Sequence, residues 1–262
     1  IASKNELYSA LDALDAIADE QPHFLEVINF IKGFISLAIA GQKPFSIPPV
    51  LIFGPPGIGK THFTKSVAKA MNRQVITHSF DSEHTASALT GSARHWANTK
   101  TGIVFDSVCM KKRADPIILL DEIDKASQSL DRDPLSPLHG LLEPLTAKSA
   151  TDISIELEFD ASHVFWVATA NEKSRVSETI ISRFKVFNIE NPTAEQSLSI
   201  AKSTAAYVQN KFNFMEYPSR EIITSIAHLT PREQIKALEQ AFATAILAGR
   251  KFIRVSDFDE GV

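Results

Sequence analysis

The chain holds a single cysteine, Cys109, so no intrachain disulfide can form. That usage suits a reducing compartment, and the cytoplasm is the expected location. No long uninterrupted apolar run is present. The longest stretch, residues 24–40, is broken by Glu26, Asn29 and Lys32. It reads as a helix with a strong apolar face rather than a membrane span, so no membrane partner is expected. Basic charge is not in excess either. Lys and Arg number 27 against 31 Asp and Glu, a net charge of −4, with a pI near 6.1. This argues against a nucleic-acid partner, and the short basic clusters at Lys111-Lys112-Arg113 and Arg250-Lys251 read as solvated faces. His78, His84 and His95 lack the spacing of a metal site, and one cysteine cannot build a zinc cluster. No repeat and no signal peptide is visible. The first residue is Ile1, which is read as the mark of a processed or excised chain.

What remains is an ordinary globular composition, 44% apolar and 22% charged over 262 residues. It has room for one large domain or two small ones. Apolar residues at helical spacing predict helices over 4–20, opened by the Ser3/Glu6 capping pattern, and over 22–40, ended at Gly41. Short apolar runs at 50–53, 74–80, 117–120, 164–168 and 186–189 alternate with helical segments. That pattern predicts an α/β fold with a buried parallel sheet. Alternation over 153–159 predicts a half-buried edge strand or hairpin arm. Beyond Asn191-Pro192 the pattern turns helical. Thr193 and Gln196 cap a helix to about 211, Ser219 opens a short one, and Thr230, Pro231 and Glu233 start one reaching 248. A short strand pattern follows at 252–255.

The first strand runs into Gly54-Pro55-Pro56-Gly57-Ile58-Gly59-Lys60-Thr61, with His62 next on the helix that follows. This fits G-x-x-x-x-G-K-[ST] in its strand–loop–helix setting. Glycines let successive backbone N–H groups turn toward phosphate oxygens, and the helix N-terminus adds positive potential. Lys60 supplies charge to the β and γ phosphates, and the Thr61 hydroxyl is a Mg²⁺ ligand. After the third strand come Asp121 and Glu122. An acid there borders the crevice where α/β sheets bind ligands. Asp121 is placed for the Mg²⁺ hydration shell, and Glu122 for polarising the attacking water as general base.

With GPPGIGKT at 54–61, ILLDEIDKA at 118–126, IELEFDASHVFWVATAN at 155–171, ISRF at 181–184 and TPREQIKALEQAF at 230–242, the chain resembles an AAA+ ATPase. Within that class it is similar to the ATPase module of Lon proteases. The resemblance covers about residues 22–258. It implies a P-loop NTPase-type parallel sheet sandwiched by helices over residues 1–190, with N-terminal helices at 4–40. A small all-helical lid over 191–262 completes the module. It implies ATP and Mg²⁺ as cofactors, hydrolysis to ADP and phosphate, and self-assembly into a hexameric ring that remodels or unfolds a protein partner. Asn171 is similar to sensor 1, which helps Glu122 place the water. Arg183 resembles the arginine finger reaching a neighbour's nucleotide, and Arg232 resembles sensor 2. Trp96, between Gly91 and Gly102, falls on the aromatic of a pore loop, although Ala97 and Asn98 depart from that pattern. The chain stops where such a module ends, so no protease domain is expected. Competing readings are a DNA-linked motor or helicase loader, a nucleotide-controlled protein-binding switch, and a small-molecule P-loop kinase.

Overall fold

The computed structural model describes residues 3–80, 86–92, 100–111, 113–126 and 133–258. The chain divides into two compact units. One comprises Ile1–Leu14, Glu26–Gly54 and Lys60–Ile189, and the other Asp15–Leu25, Pro55–Gly59 and Glu190–Val262.

The first unit is built on a five-stranded sheet in the order β2-β3-β6-β1-β7. Its strands are β1 (Val50–Phe53), β2 (Val75–Ser79), β3 (Ile117–Asp121), β6 (Phe165–Ala170) and β7 (Lys185–Asn188). Every pairing is parallel. The continuous apolar runs are explained by burial on both faces. Val50 and Ile52 of β1, with Phe165 and Val167 of β6, meet Val27 and Ile31 of α2 (Leu25–Gly41) and Phe63 and Val67 of α3 (Lys60–Ala70). The alternate residues Leu51, Phe53, Ile118, Leu120, Trp166 and Ala168 join a second core on the opposite face. Leu89 of α4 (Ser87–Thr90), Val104 of α5 (Ile103–Phe105), Leu138 and Leu141 of α6 (Leu138–Leu141) and Ile180 of α8 (Glu178–Ile181) complete that core. Helices thus cover both sides of the sheet, and the crevice at the carboxyl ends of β1, β3 and β6 is where the sequence places its functional residues.

Helix α1 (Lys4–Glu20) opens on the expected capping pair, with Glu6 N–H donating to Ser3 Oγ and Ser3 N–H to Glu6 Oε2. The segment Pro22–Gly41 has the length and composition to cross a membrane. Its residues Ile28, Ile31 and Ile35 are buried within the fold.

The alternating segment 153–159 departs from expectation. Only Leu157–Phe159 (β5) is a strand, pairing antiparallel with Ala150–Asp152 (β4), after α7 (Pro144–Ala147). Residues 153–156 form the connecting turn. Glu156 takes a left-handed φ of 55° there, and its N–H donates to Asp152 O at 2.8 Å. Alternation of hydrophobicity does not distinguish a short strand from the turn leading into it.

In the second unit α9 (Ala194–Lys211), α10 (Arg220–Ile226) and α11 (Pro231–Leu247) pack around Ala201, Ala205, Val208, Ile222, Ile226, Leu238 and Phe242. The capping boxes of α9 and α11 are both formed. Each N-cap contributes about 1 kcal/mol. The strand pattern at 252–255 is not realised. That stretch bends into a 3-10 turn, Val255–Asp257, held by a bidentate ion pair between Arg250 and Asp257. With no neighbouring strand to pair with among the described residues, local capping prevails over β propensity.

Candidate nucleotide site

The turn after β1 uses glycine where side chains are disfavoured. Gly57 and Gly59 have φ of 85° and 96°, in the left-handed half of conformational space. Within the second unit, a Cβ on Gly57 would lie 3.4 Å from Thr230 Cγ2, so the turn runs against the N-cap of α11. The Ile58 side chain is buried, and its carbonyl accepts a hydrogen bond from His23 Nε2 at 3.0 Å.

Lys60 and Thr61 begin α3 in the first unit. Lys60 is buried, and its Nζ donates to Gly54 O and to Asn171 Oδ1, both at 2.7 Å. Burial pushes this ammonium below the ordinary lysine value, while Asp124, Asp121 and Glu122 pull it back up. A cation held among carboxylates in a partly desolvated crevice is well suited to neutralising phosphate. The Thr61 hydroxyl donates to the Asp121 carboxylate, 3.0 Å from each oxygen. These are hard oxygen donors, the chemistry that suits Mg²⁺.

Asp121 closes β3 and also accepts from the Thr169 hydroxyl at 2.5 Å. Thr169 Oγ1 in turn accepts from Glu122 N–H at 3.0 Å. One buried hydroxyl on β6 therefore ties together both acids of the Asp121-Glu122 pair. Glu122 itself adopts φ 57°, ψ 49°. A left-handed conformation in a non-glycine residue costs on the order of 1 kcal/mol and clusters at functional sites. Its carboxylate pairs with Lys125 Nζ at 2.5 Å. Asp124 is buried, and its Oδ2 accepts from the backbone N–H of Asn171 and of Glu172, both at 3.1 Å. It thereby fixes the end of β6, where Asn171 projects to Lys60.

The structure thus brings Gly54, Lys60, Thr61, Asp121, Glu122 and Asn171 into one connected network. Asn171 reaches Lys60, whereas the Glu122 carboxylate meets Lys125. Arg183 stands apart from that network. It follows α8, and its Nη1 donates to the Thr179 carbonyl one turn earlier, with Nε buried and unpaired among the described residues. His62 is exposed on α3, and Pro55 and Pro56 line the turn at partial or full exposure. Arg232 is exposed beside the cap of α11. Trp96 lies outside the described residues, as do His84 and His95. The neck of its loop is described. Asp152 is buried and accepts from Gly102 N–H at 2.7 Å. A Cβ on Gly102 would fall 2.3 Å from Leu89 O, so only glycine fits there.

Reading the sequence by motif missed Thr169, Asp124, Asp152 and His23. Asp124 sat within the quoted DEID run and signalled itself only as a further acid. Thr169 carries no signal outside the strand pairing, and His23 none outside its contact with the loop.

Residues 50–191 match the family described as ATPase family associated with various cellular activities (AAA). The chain is 30% identical to the Lon protease of Clostridium beijerinckii over 76% of its length, covering 25% of that protein. It is 31% identical to "Lon protease homolog 2, peroxisomal" of Oryza sativa subsp. japonica over 86% of its length and 26% of that protein. It is 29% identical to the Lon protease of Brucella suis over 92% of its length and 30% of that protein. The chain therefore spans only about a quarter of the length of these curated relatives. On the match of its sheet and loop region, the chain belongs to the AAA family of ATPases.

Proposed function

We propose that the protein is a Mg²⁺-dependent ATPase that hydrolyses ATP to ADP and phosphate. It works as a self-assembled hexameric ring and couples turnover to remodelling or unfolding a protein partner, in the manner of a Lon-like motor. The observation that carries the hydrolytic part is the continuous network from Lys60 through Asn171, and from Thr61 through Asp121 and Thr169 to Glu122. Lys60 and the amides of residues 57–61 hold the β and γ phosphates. Thr61 and Asp121 hold the metal shell, where Mg²⁺ supplies charge neutralisation when bound. Glu122 orients the attacking water and takes its proton. That role requires Glu122 to exchange Lys125 for water. Asn171 keeps Lys60 aligned on the phosphates.

Arg183 supports the ring reading. Its known contact is to its own backbone, and a cation that approaches a neighbouring subunit's nucleotide would complete the site in trans. Arg232, beside the α11 cap, is assigned to the phosphate of its own chain as sensor 2. Trp96 is assigned to gripping the partner polypeptide. The division into a nucleotide-binding part over 1–190 and a helical lid over 191–262 belongs to the same reading.

The test is phosphate release against protein concentration, with Glu122→Gln as control. The rate per subunit is expected to rise with concentration. The control should still bind ATP and turn over about 10²- to 10⁴-fold more slowly. A rate per subunit independent of concentration overturns the shared site. A steeply salt-dependent affinity for DNA would favour the DNA-linked motor instead.

A further inference from the structure

His23 lies in the short 3-10 turn Pro22–Phe24 that leads into α2, 35 residues before the loop it touches. Its Nε2 is 3.0 Å from Ile58 O. A carbonyl oxygen can only accept, so Nε2 carries the proton and the tautomer is set. Nδ1 is then the lone-pair nitrogen, buried and without a hydrogen-bond partner among the described residues. Burial holds the ring below the ordinary histidine value, opposed by the bond to Ile58, so it stays neutral near pH 7. The ring also packs on Phe24, with centroids 4.3 Å apart, and Pro22 restricts the backbone at the start of the turn.

The consequence follows from peptide geometry. In a trans peptide the C=O and N–H point in opposite directions because the unit is planar. Holding the Ile58 oxygen therefore aims the Gly59 N–H away from His23. This peptide most needs holding, because Gly59 at φ 96° has no side chain to anchor it and open space around its Cβ position. Glycine otherwise samples both halves of conformational space. We propose that His23 is a positioning residue for the phosphate cradle. It locks the Ile58–Gly59 peptide so that the Gly59 amide faces the phosphate before nucleotide arrives. The inference rests on the reading of residues 54–61 as that cradle and adds a source of its preorganisation.

The test compares His23→Leu, which fills the space without a donor, with His23→Gln, whose amide can donate to Ile58 O. Both are made in the full chain. Binding of ATP and of inorganic tripolyphosphate, a probe without a base, is measured by calorimetry. His23→Leu is expected to weaken both about ten-fold, the worth of one hydrogen bond to a charged group. His23→Gln is expected to recover most of that loss. KM for ATP should rise by more than kcat falls. Unchanged affinities in a folded His23→Leu protein overturn the proposal. Weakened ATP with unchanged tripolyphosphate also overturns it, because His23 would then act on the base. If His23→Leu fails to fold, His23→Met replaces it as the arm without a donor, and equal affinities for Met and Gln overturn the proposal. Failure of the cradle reading itself shows earlier, as wild-type protein that binds neither probe, and takes this inference with it.

Discussion

Lys60 and Arg183 are two cations assigned to the same reaction, and their surroundings differ sharply. Lys60 is buried, has two short hydrogen bonds to Gly54 and Asn171, and lies within the field of three acids. Arg183 sits after a single helical turn, bonded to the Thr179 carbonyl, with no hydrogen bond to that network among the described residues. A desolvated cation is held only where partners offset the loss of water. The fold supplies those partners for Lys60 within one chain. For Arg183 the one side-chain hydrogen bond among the described residues goes to the Thr179 carbonyl. On the proposed reading, the contrast separates what one subunit completes from what assembly would add.

The strongest way to break that contrast is Arg183→Ala. Turnover should fall about 10³-fold or more, the usual worth of an arginine finger, while ATP affinity measured by calorimetry stays at the wild-type level. Full turnover in the dilute variant would remove Arg183 from the reaction. Lys60→Ala should act in the opposite manner. Losing two charge-assisted phosphate contacts weakens ATP binding about 100-fold, again read by calorimetry, and an ATP affinity near wild type would remove Lys60 from the site.

Asp124→Ala sharpens the comparison by loosening the Lys60 side alone. It leaves the backbone N–H groups of Asn171 and Glu172 without their acceptor. The expected loss is about 3 kcal/mol of stability in urea unfolding, with nucleotide affinity falling as Asn171 loses its anchor. Stability unchanged by this substitution would show that solvent replaces the buried carboxylate. The smallest effect concerns the helical unit. The paired Arg250 guanidinium holds Asp257 below the ordinary aspartate value, as does the Arg254 N–H. A depressed folded value means stability that is complete above the ordinary aspartate value and lost as pH falls through the folded one. Arg250→Met should therefore lower the melting temperature slightly in the neutral range and flatten the acid limb, with the difference from wild type vanishing as pH falls through the folded Asp257 value. An identical acid limb in the variant would remove Asp257 as its source.

The helices at 4–20, 194–211 and 231–247, the five parallel strands and the P-loop were legible in the sequence. Each depends on local signals: a capping pair, a continuous apolar run, or glycines beside Lys60 and Thr61. Residues 153–156 were misread as strand, because a turn and a strand end share the same alternation. The 252–255 segment was misread because β propensity says nothing about whether a partner strand exists. In the candidate site Lys60, Thr61, Asp121 and Glu122 were legible from contiguous motifs and Asn171 from the family resemblance, whereas Asp124, Thr169 and His23 were not.

Chain order alone therefore determined the α/β class, the glycine-bearing loop between β1 and α3 and the acids at the end of β3. These rest on neighbours in sequence, whose chemistry and spacing do not depend on where the rest of the chain goes. Only the tertiary structure decided that Thr169 ties Asp121 to Glu122, that Asp124 anchors Asn171, and that His23 grips Ile58. Those pairs lie 48, 47 and 35 positions apart or nearly so. They meet through parallel strand register, with Leu120 opposite Ala168, and through the packing of a turn on a loop. A one-residue slip in that register would turn Thr169 to the other face of the sheet.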